Sequence, residues 1–307
     1  MLRAFFVHLS ENRHIRGLAE RSALGRKLSS RFVAGTTIEA AIAATKVMNR
    51  MGMHVTIDNL GENVTNVEEA HHSATLYTQM LDAITANQLD ANISLKLTHM
   101  GFDVDQQLAL NIVSGLVNQA TRMTPTSFVR VDMEGSPYTQ RTLDLVHELH
   151  RRPGHKGCVG AVIQAYLLRS EKDVANLLMD GIRIRLCKGA YKESADIAFQ
   201  KKADVDANYV KLMKTLMKSG IYHGLATHDE NIIRQATAFA QAEKIPPSAF
   251  EFQMLHGIRR ELQQQLVRDG WNMRVYIPFG TEWYPYFMRR LGERPANALF
   301  ILKNLFR

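Results

Sequence analysis

The chain has 307 residues, with 38 Lys plus Arg against 30 Asp plus Glu, giving a net charge of +8 at neutral pH. Apolar residues make up 46% and only 8 positions are proline, which excludes the disordered, collagen-like and low-complexity classes. Two cysteines, Cys158 and Cys187, are too few for a disulfide scaffold and point to a reducing compartment, and no apolar run approaches the roughly 18–20 residues that span a bilayer. The apolar start over residues 1–8 is too short for a secretory core and runs at once into Glu11, Asn12 and Arg13, so a cytoplasmic protein is expected. The modest basic surplus reads as a solvated surface; contact with anionic lipid or nucleic acid is the alternative.

A helical, cationic N-terminal segment is expected over 1–35, followed by a barrel over 36–307 in one domain. After Gly35, short β-branched runs alternate with helical stretches. In chain order the pattern predicts strand 54–61, helix 67–87, strand 92–98, helix 105–122, strand 127–134, helix 139–151, strand 158–166 and helix 171–179. It continues with strand 183–190, helix 204–219, strand 224–229, helix 230–242, strand 250–255, helix 259–268 and strand 273–280. Strands alternating with helices imply βαβ units and a parallel sheet, and eight such units match an α/β fold of the (β/α)8 TIM-barrel type. An open doubly wound sheet is the alternative. No Gly-x-Gly-x-x-Gly follows the first strand, which weakens a dinucleotide-binding version of it.

Side chains alternate faces along a strand. Ser94, Lys96 and Thr98 therefore oppose Ile93, Leu95 and Leu97, and Arg130, Asp132 and Glu134 oppose Val129, Val131 and Met133. Thr56 and Asp58 oppose Val55 and Ile57, and Arg183 and Arg185 oppose Ile184 and Leu186. The outer face of a barrel strand lies under helices and must be apolar, so the polar sets point inward. That gathers Lys96, Arg130, Asp132 and Arg185 near the C-terminal mouth, where barrel active sites lie. A purely structural ion network is the competing reading of the same charges.

After the last strand, Pro285 suits the first turn of a helix that Pro295 ends. Tyr286, Arg289, Arg290 and Glu293 are spaced to share one face of it. Two adjacent arginines beside an aromatic suit a carboxylate or phosphate, because the guanidinium fork binds oxyanions bidentately.

Taken together, these segments resemble proline dehydrogenase, the FAD-dependent enzyme that begins proline breakdown. The matching stretches are I-S-L-K-L-T (93–98), V-R-V-D-M-E (129–134), Q-A-Y-L-L-R-S-E-K-D (164–173), R-L-C-K-G-A-Y (185–191), A-T-H-D (226–229), F-E-F-Q-M-L-H-G (250–257), Y-I-P-F-G (276–280) and W-Y-P-Y-F-M-R-R-L (283–291). Each is weak alone; eight in order, at strand ends or on the last helix, are specific. Relatives fused to an aldehyde dehydrogenase are much longer, so the chain looks like the single-function bacterial form. Cys187 stands where an apolar residue is expected in relatives and reads as a small buried hydrophobe.

The resemblance implies a distorted (β/α)8 barrel with N-terminal helices, a C-terminal helix carrying substrate-binding arginines, and FAD at the C-terminal mouth. It implies hydride transfer from C5 of L-proline to flavin N5, formation of 1-pyrroline-5-carboxylate, and passage of electrons to a membrane quinone. By the same resemblance Asp132 and Arg185 are the catalytic positions. Lys96, Arg289 and Arg290 clamp the substrate carboxylate, and Tyr276 and Tyr286 pack on the pyrrolidine ring. Arg130, Met133, Gln164, Lys188, Gly189, Ala190, Thr227 and His228 match cofactor-binding positions. Asp132 is expected to hold Lys96 and neighbouring polar groups or to assist loss of the amine proton; the identity of the base stays open. Peripheral contact with the inner face of the cell membrane, through the cationic N-terminus, follows from the quinone. No nucleic-acid partner and no oligomeric state are implied.

Other readings fit the residues less fully. A Schiff-base aldolase on the same barrel would use Lys96 or Lys188 as nucleophile. A basic nucleic-acid-binding protein would interleave aromatics with Lys and Arg on an open surface, whereas here the tyrosines gather beside the expected mouth. No metal site is expected: the histidines of His147-Glu148-Leu149-His150 lack the i, i+4 spacing of a His-Glu-x-x-His helix.

Overall fold

The computed structural model describes Ser22 and residues 30–293, with side chains described as far as Met288. The expected N-terminal helical segment therefore lies almost wholly outside the described residues. Eight strands form a closed parallel barrel in sequence order, as the alternation predicts. They are β1 (His54–Asn59), β2 (Ala91–Leu95), β3 (Val129–Val131), β4 (Val159–Gln164), β5 (Arg183–Cys187), β6 (His223–Ala226), β7 (Phe250–Leu255) and β8 (Met273–Phe279). Closure is made by β1 against β8 in continuous register from His54 opposite Arg274 to Asn59 opposite Phe279.

The helices are α1 (Ile38–Arg50), α2 (Val67–Ala86), α3 (Gln106–Arg122), α4 (Ser136–Arg151), α5 (Ser170–Met179), α6 (Lys202–Lys218), α7 (Glu230–Ala242), α8 (Arg260–Arg268) and α9 (Trp283–Glu293). Polar caps start several of them. The side chains of Thr37, Asn66, Asp105 and Asp229 accept backbone N–H groups at the first turns of α1, α2, α3 and α7. Helix α1 is not anticipated by the alternating pattern; it precedes β1, so no strand announces it. Except for β7, which spans 250–255 as expected, the strands end earlier than the pattern predicts. Residues 96–98 leave β2 for a single 3-10 turn at Thr98–Met100, and residues 132–134 and 188–190 leave β3 and β5. These early exits turn strand ends into mouth loops.

The main core lies between the outer barrel face and the helices. Val55, Ile57, Ile93, Leu95, Val129, Val131, Ile184 and Leu186 are inaccessible to solvent there and pack with Tyr77, Met80, Val113 and Leu216 from the helices. A second apolar cluster covers one side of the mouth. It joins Phe32 and Val33 to Leu60 after β1, Ile258 after β7, and Trp283, Tyr284, Tyr286 and Phe287 of α9. Backbone bonds tie the entering chain to β8, from Ala34 N to Pro278 O and from Gly280 N to Gly35 O, both at 2.9 Å.

The barrel interior is polar, unlike the branched apolar filling usual for this architecture. At its N-terminal floor Glu251 accepts from Arg274 Nε at 2.7 Å, from Gln253 Nε2 at 2.6 Å and from Tyr222 OH at 2.9 Å. Burial alone would raise the Glu251 carboxyl, but the Arg274 charge and these donors hold it down at about 2. Gly224 faces this network, and a Cβ there would lie 2.2 Å from Gln253 Nε2. Arg130 also lies deep in the barrel. Its Nη1 donates to the carbonyls of Ala161 at 3.0 Å and Arg183 at 2.7 Å, and its guanidinium stacks 4.5 Å from the Phe128 ring. This corrects the expectation that Arg130 stands near the mouth. Alternation fixes its inward direction, but its height is that of Arg183 at the start of β5, two residues below Asp132.

Candidate active site

Asp132, immediately after β3, organises the mouth. Its Oδ1 accepts from Arg185 Nη1 at 2.6 Å and from Ser94 Oγ at 2.7 Å, and its Oδ2 accepts from Tyr276 OH at 2.8 Å. Three strands therefore aim donors at one carboxylate. Arg185 is fixed on its other edges as well. Nε donates to Gln253 Oε1 at 2.5 Å, Nη1 to Ser94 Oγ at 3.0 Å and Nη2 to Thr56 Oγ1 at 3.5 Å. The guanidinium carbon lies 5.1 Å from the centre of the Tyr276 ring, within cation–π range. Both members of the Arg185–Asp132 pair are largely shielded, so a charge held here acts in a low-dielectric setting. The two expected catalytic positions thus meet, with Tyr276 as their third partner.

Lys96 stands one residue beyond β2, and its Nζ donates to Glu62 Oε2 at 3.0 Å. Glu62, on the loop after β1, is thus one partner of Lys96, while Ser94, Arg185 and Tyr276 donate to Asp132. Tyr286 is buried in the apolar cluster that flanks the mouth. Arg289 and Arg290 follow on α9, and their side chains lie outside the described residues.

The expected cofactor positions line the same end of the barrel through β4, β5 and β6. Gln164 closes β4; its Nε2 donates to Met133 O at 3.3 Å, while its buried Oε1 has no hydrogen-bond partner among the described residues. A buried acceptor without a donor is costly, and an N–H from a bound group would satisfy it. Gly189 has φ of +106°, and a Cβ there would lie 2.2 Å from the Tyr166 ring, so the loop after β5 closes tightly on that aromatic. Lys188 Nζ donates to Asp206 at 2.5 Å and to Asp229 at 2.9 Å. Its charge is therefore bracketed by Asp206 of α6 and the N-cap Asp229 of α7, which no local sequence pattern indicates. Thr227 Oγ1 accepts from Asp229 N at 3.1 Å, and His228 Nε2 accepts from Leu255 N at 3.0 Å, which fixes the imidazole with its proton on Nδ1. Ala190 follows Gly189 in the same loop. Cys187, at the end of β5, has its thiol pushed up to about 12 by burial, as suits a small apolar filler.

Ser94, Thr56 and Asp58 were placed on the inward faces from sequence but given no role, and Glu62 and Gln253 were not singled out. Gln253 lies on an inward strand position, so alternation carried a signal for it, whereas Glu62 lies on a loop. The family model for proline dehydrogenase matches residues 41–303. The chain belongs to the proline dehydrogenase family. It is 42% identical to Proline dehydrogenase 1 of Bacillus subtilis subsp. natto over 308 residues, covering all of both chains. It is 39% identical to Proline dehydrogenase of Deinococcus radiodurans, covering 91% of this chain and 90% of that one. Among solved structures, proline utilization A of Bdellovibrio bacteriovorus, inactivated by N-propargylglycine, superposes with a TM-score of 0.82 at 25% identity, over 95% of this chain and 36% of the other. The family assignment and the closed barrel agree with the sequence-based expectation on both counts.

His147 of α4 and His155, in the turn after it, lie away from this site. His147 Nδ1 is 2.7 Å from Asp180 and His155 Nε2 is 2.9 Å from Asn118. Among the described residues no group of three or more His, Cys, Asp or Glu side chains is arranged to hold a metal ion, and no helix is long and apolar enough to cross a membrane.

Proposed function

We propose that this proline dehydrogenase oxidises L-proline to 1-pyrroline-5-carboxylate with FAD bound at the C-terminal mouth and passes the electrons to a membrane quinone. The observation that carries the reading is the Asp132–Arg185–Tyr276 constellation, three groups from three strands fixed on one another at the mouth. FAD, when bound, accepts the hydride from the carbon beside the amine. The chain supplies the rest. Arg185, locked by four donor contacts, is a fixed cation for negative charge that develops in the reaction, and its preorganisation saves reorganisation at that moment. Asp132 accepts three hydrogen bonds and so orients Arg185 and Tyr276 together. Lys96, Arg289 and Arg290 supply cations for the substrate carboxylate, with Tyr276 and Tyr286 against the apolar ring. Met133, Gln164, Lys188, Gly189, Ala190, Thr227 and His228 hold the cofactor. The unpaired Gln164 Oε1, at the end of β4, would accept an N–H from the bound cofactor, and the tight Gly189 turn stands beside it after β5. Arg130, on backbone carbonyls below this layer, supports the barrel under the site.

The quinone brings the membrane into the reading. A cationic N-terminal stretch suits weak electrostatic docking on anionic lipid. The test is to incubate the purified chain with L-proline, FAD and a soluble quinone and to follow the product by mass spectrometry. Loss of two hydrogens from proline with matching quinone reduction supports the reading. Proline that stays intact while the protein carries FAD contradicts it.

A further inference from the structure

Two layers of charge lie inside the barrel, the Arg274–Glu251 pair at the floor and the Arg185–Asp132 pair at the mouth. One side chain touches both. Gln253 of β7, only 4% exposed, accepts from Arg185 Nε at 2.5 Å through Oε1 and donates from Nε2 to Glu251 Oε1 at 2.6 Å. Its neighbours fix which way the amide faces. An arginine Nε can only donate. The Glu251 carboxyl, raised by burial but drawn down to about 2 by Arg274 and its other donors, is ionised and can only accept. The amide therefore has one orientation, oxygen toward the mouth and nitrogen toward the floor. The sequence makes room for this bridge. Arg185 of β5, Gly224 of β6 and Glu251 of β7 stand in one row of the barrel. Gly224 has no side chain, so a gap is left between β5 and β7, and the Gln253 amide occupies it. A Cβ on Gly224 would lie 2.2 Å from Gln253 Nε2 and 2.7 Å from its Cδ.

We propose that Gln253 is a positioning residue for the reaction: oriented from below by Glu251, its amide holds the Nε edge of Arg185 and fixes that cation at the mouth. The other firm contacts of Arg185 are both on Nη1, to Asp132 at 2.6 Å and Ser94 at 3.0 Å, while Nη2 reaches Thr56 only at 3.5 Å. A guanidinium held at one nitrogen can swing about it. A second contact on Nε fixes the planar fork, which is what makes its charge directional. Glu251 and Arg274 thus act on the mouth without touching it, through one amide.

The inference rests on the reading of Arg185 as the fixed cation of the reaction, so the test separates the two. It is a double-mutant cycle on the FAD-loaded protein. Gln253→Met keeps the length of the side chain and removes the bridge. Flavin reduction at saturating proline, followed by stopped-flow, should slow by about tenfold, the scale of one lost hydrogen bond to a charged group, with the KM for proline little changed. In an Arg185→Met background the same change should slow it by less than about twofold, because no guanidinium is left to position. The midpoint potential of the bound flavin is a readout besides rate. It should fall in Arg185→Met, fall by part of that amount in Gln253→Met, and fall no further in the double variant. Gly224→Ala displaces the amide while keeping every polar group, so it should reproduce the Gln253→Met pattern and serves as the test where losing the amide unfolds the protein. Equal slowing by Gln253→Met in both backgrounds overturns the proposal, because the residue then acts without Arg185. Native rate and potential in both Gln253→Met and Gly224→Ala, with Arg185→Met slow, also overturn it and leave the reading of Arg185 intact. An Arg185→Met enzyme as fast as the native one overturns that reading and this inference together.

Discussion

Replacing Glu251 by Gln tests whether the polar floor of the barrel sustains the fold. The carboxylate sits between Arg274, Gln253 and Tyr222, which hold its pKa down at about 2, so the folded state gains from its charge. Against an ordinary glutamate, a drop of this size is worth about 3 kcal/mol, since each pH unit corresponds to about 1.4 kcal/mol. The sign is that of a carboxyl lowered on folding: the contribution is present above its unfolded pKa and is lost as pH falls toward 2. Glu251→Gln keeps the shape, removes the charge and leaves Arg274 buried without a counter-ion, so about 3 kcal/mol of stability should vanish at pH 7. Urea unfolding followed by tryptophan fluorescence reads this, because Trp271 packs 5.7 Å from Phe250 at the start of β7. The difference between variant and native protein should shrink as pH is lowered below about 4.5. Replacing Arg274 and Glu251 together by Met should cost less than the single change, because no charge is left unpaired. A loss under about 1 kcal/mol at pH 7, or a difference that does not change with pH, would refute the reasoning.

Other substitutions separate the roles at the mouth. Arg185→Met should slow flavin reduction by proline by about 10²–10³-fold in stopped-flow, the usual effect of losing one preorganised charge donor, with little change in cofactor content. Gly189→Ala places a Cβ 2.2 Å from the Tyr166 ring, so the purified variant should retain a much smaller FAD-to-protein ratio. Lys96→Met should raise KM for proline more than it lowers kcat, since a fixed cation binds the carboxylate in both ground and transition states. Burial, then Arg130 and Arg183, hold the His223 imidazole at about 3. The fold therefore excludes a proton that the unfolded chain takes up below about 6.5, and stability should fall as pH drops through that value. His223→Asn should flatten that part of the pH–stability curve.

The sequence made the barrel and the chemical edge of its mouth legible, for one physical reason. A strand buried on its outer face and polar on its inner face leaves a two-residue alternation that needs no partner to be read. That signal placed Asp132 and Arg185 inside, and the structure brings them together. The same signal was present at Glu251, Gln253 and Arg274, where it was not followed inward. Alternation carries direction but not height, so Arg130 looked like a mouth residue until register set it level with Arg183. The partners of Lys188 were not legible at all, because Asp206 and Asp229 reach it from two helices that only the closed fold makes neighbours. Helix α1 escaped because the repeating pattern starts with β1. The short strands escaped because the residues after β2, β3 and β5 keep strand-like alternation while the backbone turns out to build the mouth.

The most direct test of the central claim is anaerobic titration of the purified, FAD-loaded protein with L-proline while its visible spectrum is recorded. Bleaching of the flavin band, reached much more slowly in Arg185→Met and in Asp132→Asn, is the predicted result. A flavin band that stays unchanged at saturating proline in the native protein would contradict the account.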